Sequence, residues 1–517
     1  MSTVDSPFRR AVGRSSALLR GRDAVAGFGE RSTLDLPAEP AGDTLQDVWC
    51  LGTRIPARRR RAGGFVVAAA VLSVIVSGCT SARRVPTSPS PTGSAAAVTR
   101  PSTTGTSDAQ RSDDDLHHHV TLTVTPSRAR YDIPFVSSVS GLAPGQRVTL
   151  TLTTRSDDGS VWSSRAQFTA GTSGRFDTHQ RPDGGSYHRA DPMGLMETLT
   201  PGRPGASFVG PSPWTLTESV VEGGHQVAST TITRLLPHAL GVEQTHLRPA
   251  SGGLYGELFE PAAVPSSPQP GVLVFGGSEG GLAYPVITAA ALAAHNIPAL
   301  AIAYFGEPGL PAHLERIPLE YFAAAVTKLA SEPGVDPGRI VLWGTSRGSE
   351  AALLTAAHHP DTVRAVIAAV PGAEAGPGLP DTSLAAWTLG GRPVVTAQPQ
   401  DMGQQSATSP AAIPVGRIAG PLLLICGGDD EVWRSCANSA AIQARLKAHG
   451  HAPATLLRYP AAGHLVGFSL PYLPSTATSG RTADGEKLST GGTYQADQAA
   501  RADEWPRILE FIKGLTG

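Results

Sequence analysis

At 517 residues the chain is long enough for two or three domains, each able to bury a sizeable core, which argues against a single domain. The formal charge is −1, but the first 78 residues hold 11 Arg against 7 acids. The remaining 31 basic and 36 acidic residues balance at −5, which leaves no basic stripe for nucleic acid. Four cysteines are too few for a disulfide scaffold. Neither a Cys-x-x-Cys nor a His-x-x-x-His spacing suggests a metal site, so no metal and no cofactor is expected, and the run His117 to His119 reads as solvated.

Residues 1–53 show neither helical nor strand periodicity and read as a leader that is either not translated or disordered, with Val48 or Leu51 as alternative initiators. Residues 54–78 carry Arg58 to Arg61, then 17 residues without charge, Ala62 to Gly78, ending Val76-Ser77-Gly78 before Cys79. A basic flank, an apolar core and small residues before a cysteine fit an export signal. The ending resembles a bacterial lipoprotein signal, which implies lipidation of Cys79. Residues 79–118 are rich in Ser, Thr and Pro, with too few large apolar residues to fold, and read as a disordered linker. From Thr80 to Leu116 it would reach about 30 to 35 Å if flexible.

Residues 119–250 change character. Val120 to Val124 and Val148 to Leu152 alternate apolar with polar, the period of a half-buried strand. Asp158-Gly159 and Gly223-Gly224 supply hairpin turns before Val161 to Phe168 and Gln226 to Thr233. Regularly spaced short strands predict a β-sandwich without an evident catalytic set. Over residues 251–517 apolar strands alternate with alanine-rich helices: Pro298 to Tyr304, Leu319 to Leu329, Ile340 to Trp343, Arg364 to Val370. That alternation predicts a parallel sheet covered on both faces. Two Pro- and Gly-rich stretches, Pro371 to Ile418 and Leu465 to Tyr494, read as long loops forming a lid and acyl pocket. Trp505 to Leu515 reads as the closing helix.

The strand through Trp343 ends in Gly344-Thr345-Ser346-Arg347-Gly348, a Gly-x-Ser-x-Gly turn followed by a helix-forming run. Glycines at both ends let the backbone turn tightly enough to bare the serine hydroxyl, which makes Ser346 the candidate nucleophile. A hydroxyl needs a base and the base an orienting acid, in the chain order Ser, acid, His. After the strand Pro421 to Cys426, the residues Asp429, Asp430 and Glu431 compete for the acid. After the strand Ala454 to Tyr459 comes His464. His295, His358 and His359 sit at predicted helix ends and read as solvated or capping. An oxyanion needs two backbone donors. Arg347 supplies one; Gly277 and Ser278, in the loop Gly276 to Gly281 with four glycines in six residues, are candidates for the other. Glu279 in that loop reads as solvated. Cys426 closes a strand and Cys436 opens the next helix, so in an exported protein the two are expected to form a disulfide, two buried free thiols being the alternative.

From about Tyr187 onward the chain resembles the family of acyl-CoA thioesterases and bile acid-CoA:amino acid N-acyltransferases. The resemblance rests on Asp191-Pro192-Met193-Gly194-Leu195, Phe275-Gly276-Gly277 through Gly281, Leu319 to Phe322, Gly344 to Gly348, Asp429-Asp430 with Trp433, and Tyr459-Pro460 with Gly463-His464. It implies an immunoglobulin-like domain followed by an α/β-hydrolase, with the second aspartate, Asp430, as the acid. It also implies a serine nucleophile in the hydrolases and a cysteine in the transferases. Met196-Glu197 departs from the tryptophan and serine usual after that first block. The expectation is a serine hydrolase of acyl thioesters or esters, with acyl transfer or an inactive surface binding protein as alternatives. It would be held outside the cytoplasmic membrane by a lipid anchor, with no nucleic-acid partner.

Overall fold

The computed structural model describes residues 119–203, 213–248, 253–398, 409–468, 470–474, 479–483 and 487–515, with Phe208, Gly210 and Gly485. The leader at 1–53, the signal at 54–78, Cys79 and the linker at 79–118 lie outside the described residues.

Two sheets form the first domain. Thr121–Thr125, Val136–Ser140 and Phe176–Asp177 make a three-stranded antiparallel sheet. Arg147–Arg155, Val161–Thr169, Trp214–Glu222 and His225–Leu235 are the long strands of a seven-stranded one. Along Val161–Thr169 every second residue is buried, as the alternating sequence requires. Gly223 and Gly224 both adopt positive φ, 55° and 88°, so the two-residue turn takes the hand that matches strand twist. Trp162 and Trp214 are fully buried in the shared core, where truncation of such a side chain to alanine costs about 3 to 5 kcal/mol.

The second domain is built on an eight-stranded sheet: β1 (Glu243–Leu247), β2 (Tyr255–Glu260), β3 (Gln269–Phe275), β4 (Ala299–Ala303), β5 (Val335–Thr345), β6 (Ala365–Ala369), β7 (Leu422–Gly427) and β8 (Thr455–Tyr459). Its spatial order is β1-β2-β4-β3-β5-β6-β7-β8. The strands from β3 onward run parallel, while β1 and β2 pair antiparallel with each other and β2 pairs antiparallel with β4. The sheet is therefore mixed at one edge rather than wholly parallel. Its first strand is contributed by Glu243–Leu247, ahead of the boundary at 250 drawn from composition. The short, polar burial pattern of β1 carries no apolar run to betray it.

Helices α1 (Ala283–Ala293), α2 (Leu319–Ala330), α3 (Arg347–His358), α4 (Ser435–Ala448) and α5 (Tyr494–Lys513) cover both faces. Alternate residues of β3 serve opposite faces. Val272 and Val274 join the core that holds α1 and α5, and Leu273 and Phe275 join the core of α2, α3 and α4. That double burial is why the central strands read as continuous apolar runs. The core of the first domain is continuous with the α1 and α5 side. A buried polar hub marks this join: Asp132 accepts from Arg130 Nε (2.5 Å), pairs with His295 Nε2 (2.5 Å) and accepts from Trp505 Nε1 (2.8 Å). His295 is thus an interdomain partner, not a solvated helix end.

The two long stretches are not structureless. The first contributes Trp387–Leu389 and Arg392–Pro393 to a three-stranded sheet with Ile317–Pro318. The second contains a hairpin, Ser479–Arg481 with Lys487–Ser489. Helix α5 begins at Tyr494, well before Trp505, and carries Pro506 in its interior.

Candidate active site

Ser346 stands between the end of β5 and the start of α3 with φ 55° and ψ −123°, a conformation that L side chains rarely adopt. The flanking glycines make it possible. A Cβ on Gly344 would lie 2.2 Å from the Gly348 carbonyl oxygen, and one on Gly348 would lie 2.1 Å from the Gly276 carbonyl oxygen. Strand, loop and helix therefore converge at distances that only hydrogen side chains allow. The Ser346 N–H donates to the Ala369 carbonyl at 2.9 Å, which ties the turn to β6.

His464, on the loop after β8, reaches the serine: its Nε2 lies 2.9 Å from Ser346 Oγ. Its Nδ1 lies 2.9 Å and 3.0 Å from the two oxygens of Asp430. With the proton on Nδ1, the ring donates to the carboxylate and Nε2 is left to accept from the hydroxyl. All three side chains are screened from solvent. Asp430 Oδ1 also accepts the amides of Val432 (3.1 Å) and Trp433 (3.2 Å), which aims the carboxylate at the imidazole. Asp429 and Glu431 are exposed, and Glu431 takes a hydrogen bond from Ser489 Oγ. The choice among the three acids, open from composition, falls geometrically on Asp430.

Supports behind this line were not foreseen from the sequence. Asp497, buried on α5, accepts the Gly463 N–H at 2.7 Å, and the Thr490 carbonyl accepts the His464 N–H at 2.7 Å, so the histidine loop is held from two sides. The Trp433 indole donates to the Val370 carbonyl at 3.0 Å, and its ring meets the His464 ring edge-on at 5.9 Å. On α5 the polar residues Asp497, Gln498, Arg501 and Glu504 share one buried face. Their helical spacing was the only sequence signal, and such a stripe ordinarily means a solvated face. The hairpin 479–489 also belongs to the site's surroundings: Gly491, just beyond it, bridges Asp430, and near its tip the Ala483 N–H donates to the Ser278 carbonyl at 2.9 Å.

The Arg347 amide opens α3 beside Ser346, at the positive end of the helix dipole. Its side chain runs the other way. Buried Arg347 faces buried Glu350 (3.3 Å) and donates to the Pro377 carbonyl (2.7 Å), while Glu350 Oε2 accepts from Gly376 N–H and Trp387 Nε1, each at 2.9 Å. These bonds fasten Gly376 and Pro377, in the long stretch after β6, against α3.

In the glycine-rich loop a Cβ on Gly277 would fall 2.8 Å from the Ser346 Cβ, so this peptide passes directly beside the serine. Ser278 lies one residue further on, its carbonyl engaged with Ala483. Glu279 is half-buried rather than solvated: its Oε1 accepts the Gly277 N–H at 2.8 Å. Burial pushes its carboxyl up to about 7, opposed by the amides of Gly277 and Glu279 and by His464. Cys426 and Cys436 are joined by a disulfide at the base of the loop carrying Asp430.

A hydroxyl on a strained strand-to-helix turn, a histidine within hydrogen-bond reach and an acid behind it, set on this strand order, define an α/β-hydrolase domain. The family description "Acyl-CoA thioester hydrolase/BAAT N-terminal region" matches residues 132–248, and "BAAT / Acyl-CoA thioester hydrolase C terminal" matches residues 317–377 and 390–517. The mouse (Mus musculus) acyl-coenzyme A thioesterase 6 is 30% identical over 412 residues, covering 76% of this chain and 96% of its own. The mouse acyl-coenzyme A amino acid N-acyltransferase 1 is 28% identical over 421 residues, covering 76% and 97%. Among solved structures, a putative dienelactone hydrolase from Klebsiella pneumoniae shares 17% identity at a TM-score of 0.36 over 52% of this chain and 97% of its own. The chain belongs to the acyl-CoA thioester hydrolase/BAAT family.

Proposed function

We propose that this protein hydrolyses acyl thioesters or esters through a covalent acyl-enzyme on Ser346. His464 Nε2 takes the hydroxyl proton as Oγ attacks the acyl carbonyl, and Asp430 holds the imidazole and stabilises its charged form. The tetrahedral intermediate's oxyanion is received by the amides of Arg347 and of Gly277 or Ser278. The imidazolium returns the proton to the leaving thiolate or alkoxide; water, deprotonated by the same histidine, then attacks the acyl carbon, and the imidazolium gives that proton to Ser346 Oγ as the acid leaves. The observation that carries this reading is the contact of Ser346 Oγ with His464 Nε2 at 2.9 Å on a serine held at φ 55°.

Acyl transfer to an amine is the second reading, favoured by the likeness to an N-acyltransferase. It uses the same residues and differs in the nucleophile that meets the acyl-enzyme. The resemblance that assigns cysteine to the transferases and serine to the hydrolases supports hydrolysis here. Fluorophosphonate labelling of the wild type and Ser346→Ala, with p-nitrophenyl esters and acyl-CoAs assayed side by side, tests it. Labelling and turnover that depend on Ser346 are expected, with turnover down roughly 10⁴- to 10⁶-fold in the variant. A Ser346→Ala protein as active as wild type would end the hydrolase reading.

The first domain is read as an immunoglobulin-like sandwich that packs beside the hydrolase rather than one that reacts. The protein is read as an extracytoplasmic lipoprotein anchored through Cys79, because a basic flank and an uncharged run precede that cysteine. A disulfide between Cys426 and Cys436 supports an oxidising compartment. Coenzyme A is intracellular, so this location favours envelope lipids or external esters over acyl-CoA. Cell fractionation decides: wild type in the membrane fraction and Cys79→Ala released from it supports the anchor. Soluble wild type in the cytoplasm refutes it and restores acyl-CoA as the substrate.

A further inference from the structure

Glu279 stands inside the site that the proposed reaction uses. Its Oε1 accepts the Gly277 N–H at 2.8 Å, a Cβ on Gly276 would sit 2.0 Å from that oxygen, and a Cβ on Gly277 would lie 3.0 Å from Oε2. The carboxylate is therefore packed over both glycines, on the same peptide that passes the Ser346 Cβ. Gly277 has one amide hydrogen. A carboxylate and a tetrahedral oxyanion are acceptors of the same kind, so they compete for it.

The groups around Glu279 do not remove that competition. His464, from the loop after β8, attracts its charge. Tyr304, at the end of β4, donates to the Gly276 and Gly277 carbonyls at 2.9 Å each and so fixes the peptide on which Glu279 rests. Arg347 and Glu350 of α3 pair with each other and act electrostatically on Tyr304.

On the acyl-enzyme reading given above, we infer that Glu279 is a built-in competitor for the oxyanion site. Its carboxylate occupies the Gly277 amide in the resting enzyme and must leave it, by swinging away or by taking a proton from solvent, as the substrate oxygen gains charge. Its carboxyl, raised to about 7, is charged and competing above that value, and neutral and yielding below it. Activity should thus fall on the alkaline side for a reason separate from His464.

The test compares wild type with Glu279→Gln, whose amide keeps the side chain's shape without its charge. Three readouts are followed from about pH 6 to about pH 9: fluorophosphonate labelling, kcat/KM on a p-nitrophenyl ester, and affinity for a phenylboronic acid, which forms a tetrahedral anion on a serine oxygen. The expected result is that the Gln variant exceeds wild type by about tenfold in boronate affinity and kcat/KM at the alkaline end, the two converging toward acid. The inference falls alone if both proteins label and their profiles coincide, or if the Gln variant is weaker at every pH, which would make Glu279 a structural brace. A wild type that neither labels nor binds boronate sinks the acyl-enzyme reading and this inference with it.

Discussion

At the scale of single residues, the site separates two neighbouring aspartates by what surrounds each. Asp430 is buried, accepts two amides and faces His464, whereas Asp429 is exposed and uses its backbone N–H to bond the Ala462 carbonyl at 3.0 Å. Asp430→Asn is expected to lower turnover by roughly 10⁴-fold, because an amide stabilises the wrong imidazole tautomer. Asp429→Asn should lower it far less. Steady-state kinetics on both variants checks this, and equal losses would undo the assignment. Ser346 and His464 were legible because a nucleophile elbow and a strand-end histidine have local signatures. Asp430 was not distinguishable from Asp429 and Glu431 on periodicity alone, since a one-residue choice in a loop depends on how the backbone turns. Glu279 was misread for a related reason: nothing in the composition of a glycine-rich loop says whether its acid points outward or back onto its own amides.

At the scale of elements, what the sequence shows follows burial. The central strands, buried on both faces, announce themselves as apolar runs, and α2 matches its expected span of Leu319 to Leu329 within a residue. Elements whose partners lie elsewhere in the chain were missed. The three-residue strands of the hairpin 479–489 are too short for an alternation to register. The start of α5 was hidden because Tyr494, Asp497 and Gln498 in its first two turns are polar yet buried, Asp497 against the histidine loop. Strand β1 was not read as a strand at all, because Glu243–Leu247 is short and mostly exposed and its pairing with Tyr255–Glu260 is a tertiary fact.

At the scale of the whole molecule, the two domains meet through a continuous apolar core with Asp132 buried at the join. Burial alone would raise the Asp132 carboxyl, but His295 and Arg130 outweigh it and hold it at about 2, below its ordinary 3.8. A carboxyl depressed in the folded state contributes stability above its ordinary value, and that contribution is lost as pH falls through the folded one. Between about pH 4 and pH 2 the fold should lose about 2 kcal/mol from this group. Urea unfolding of wild type and Asp132→Asn across that window should show their difference shrinking toward acid; a constant difference would assign the hub no electrostatic role. The edge strand β1 carries a further consequence for how the molecule can be divided. Because Glu243–Leu247 lies before the apparent boundary yet covers β2, a hydrolase fragment begun at 251 would leave β2 with a row of unpaired amides and carbonyls beside buried Leu258 and Phe259. An uncovered edge of that kind recruits strands from other molecules. The segment that follows the first domain's last long strand therefore supplies the strand that keeps the hydrolase from self-association, and any dissection of the two domains has to cut before Glu243.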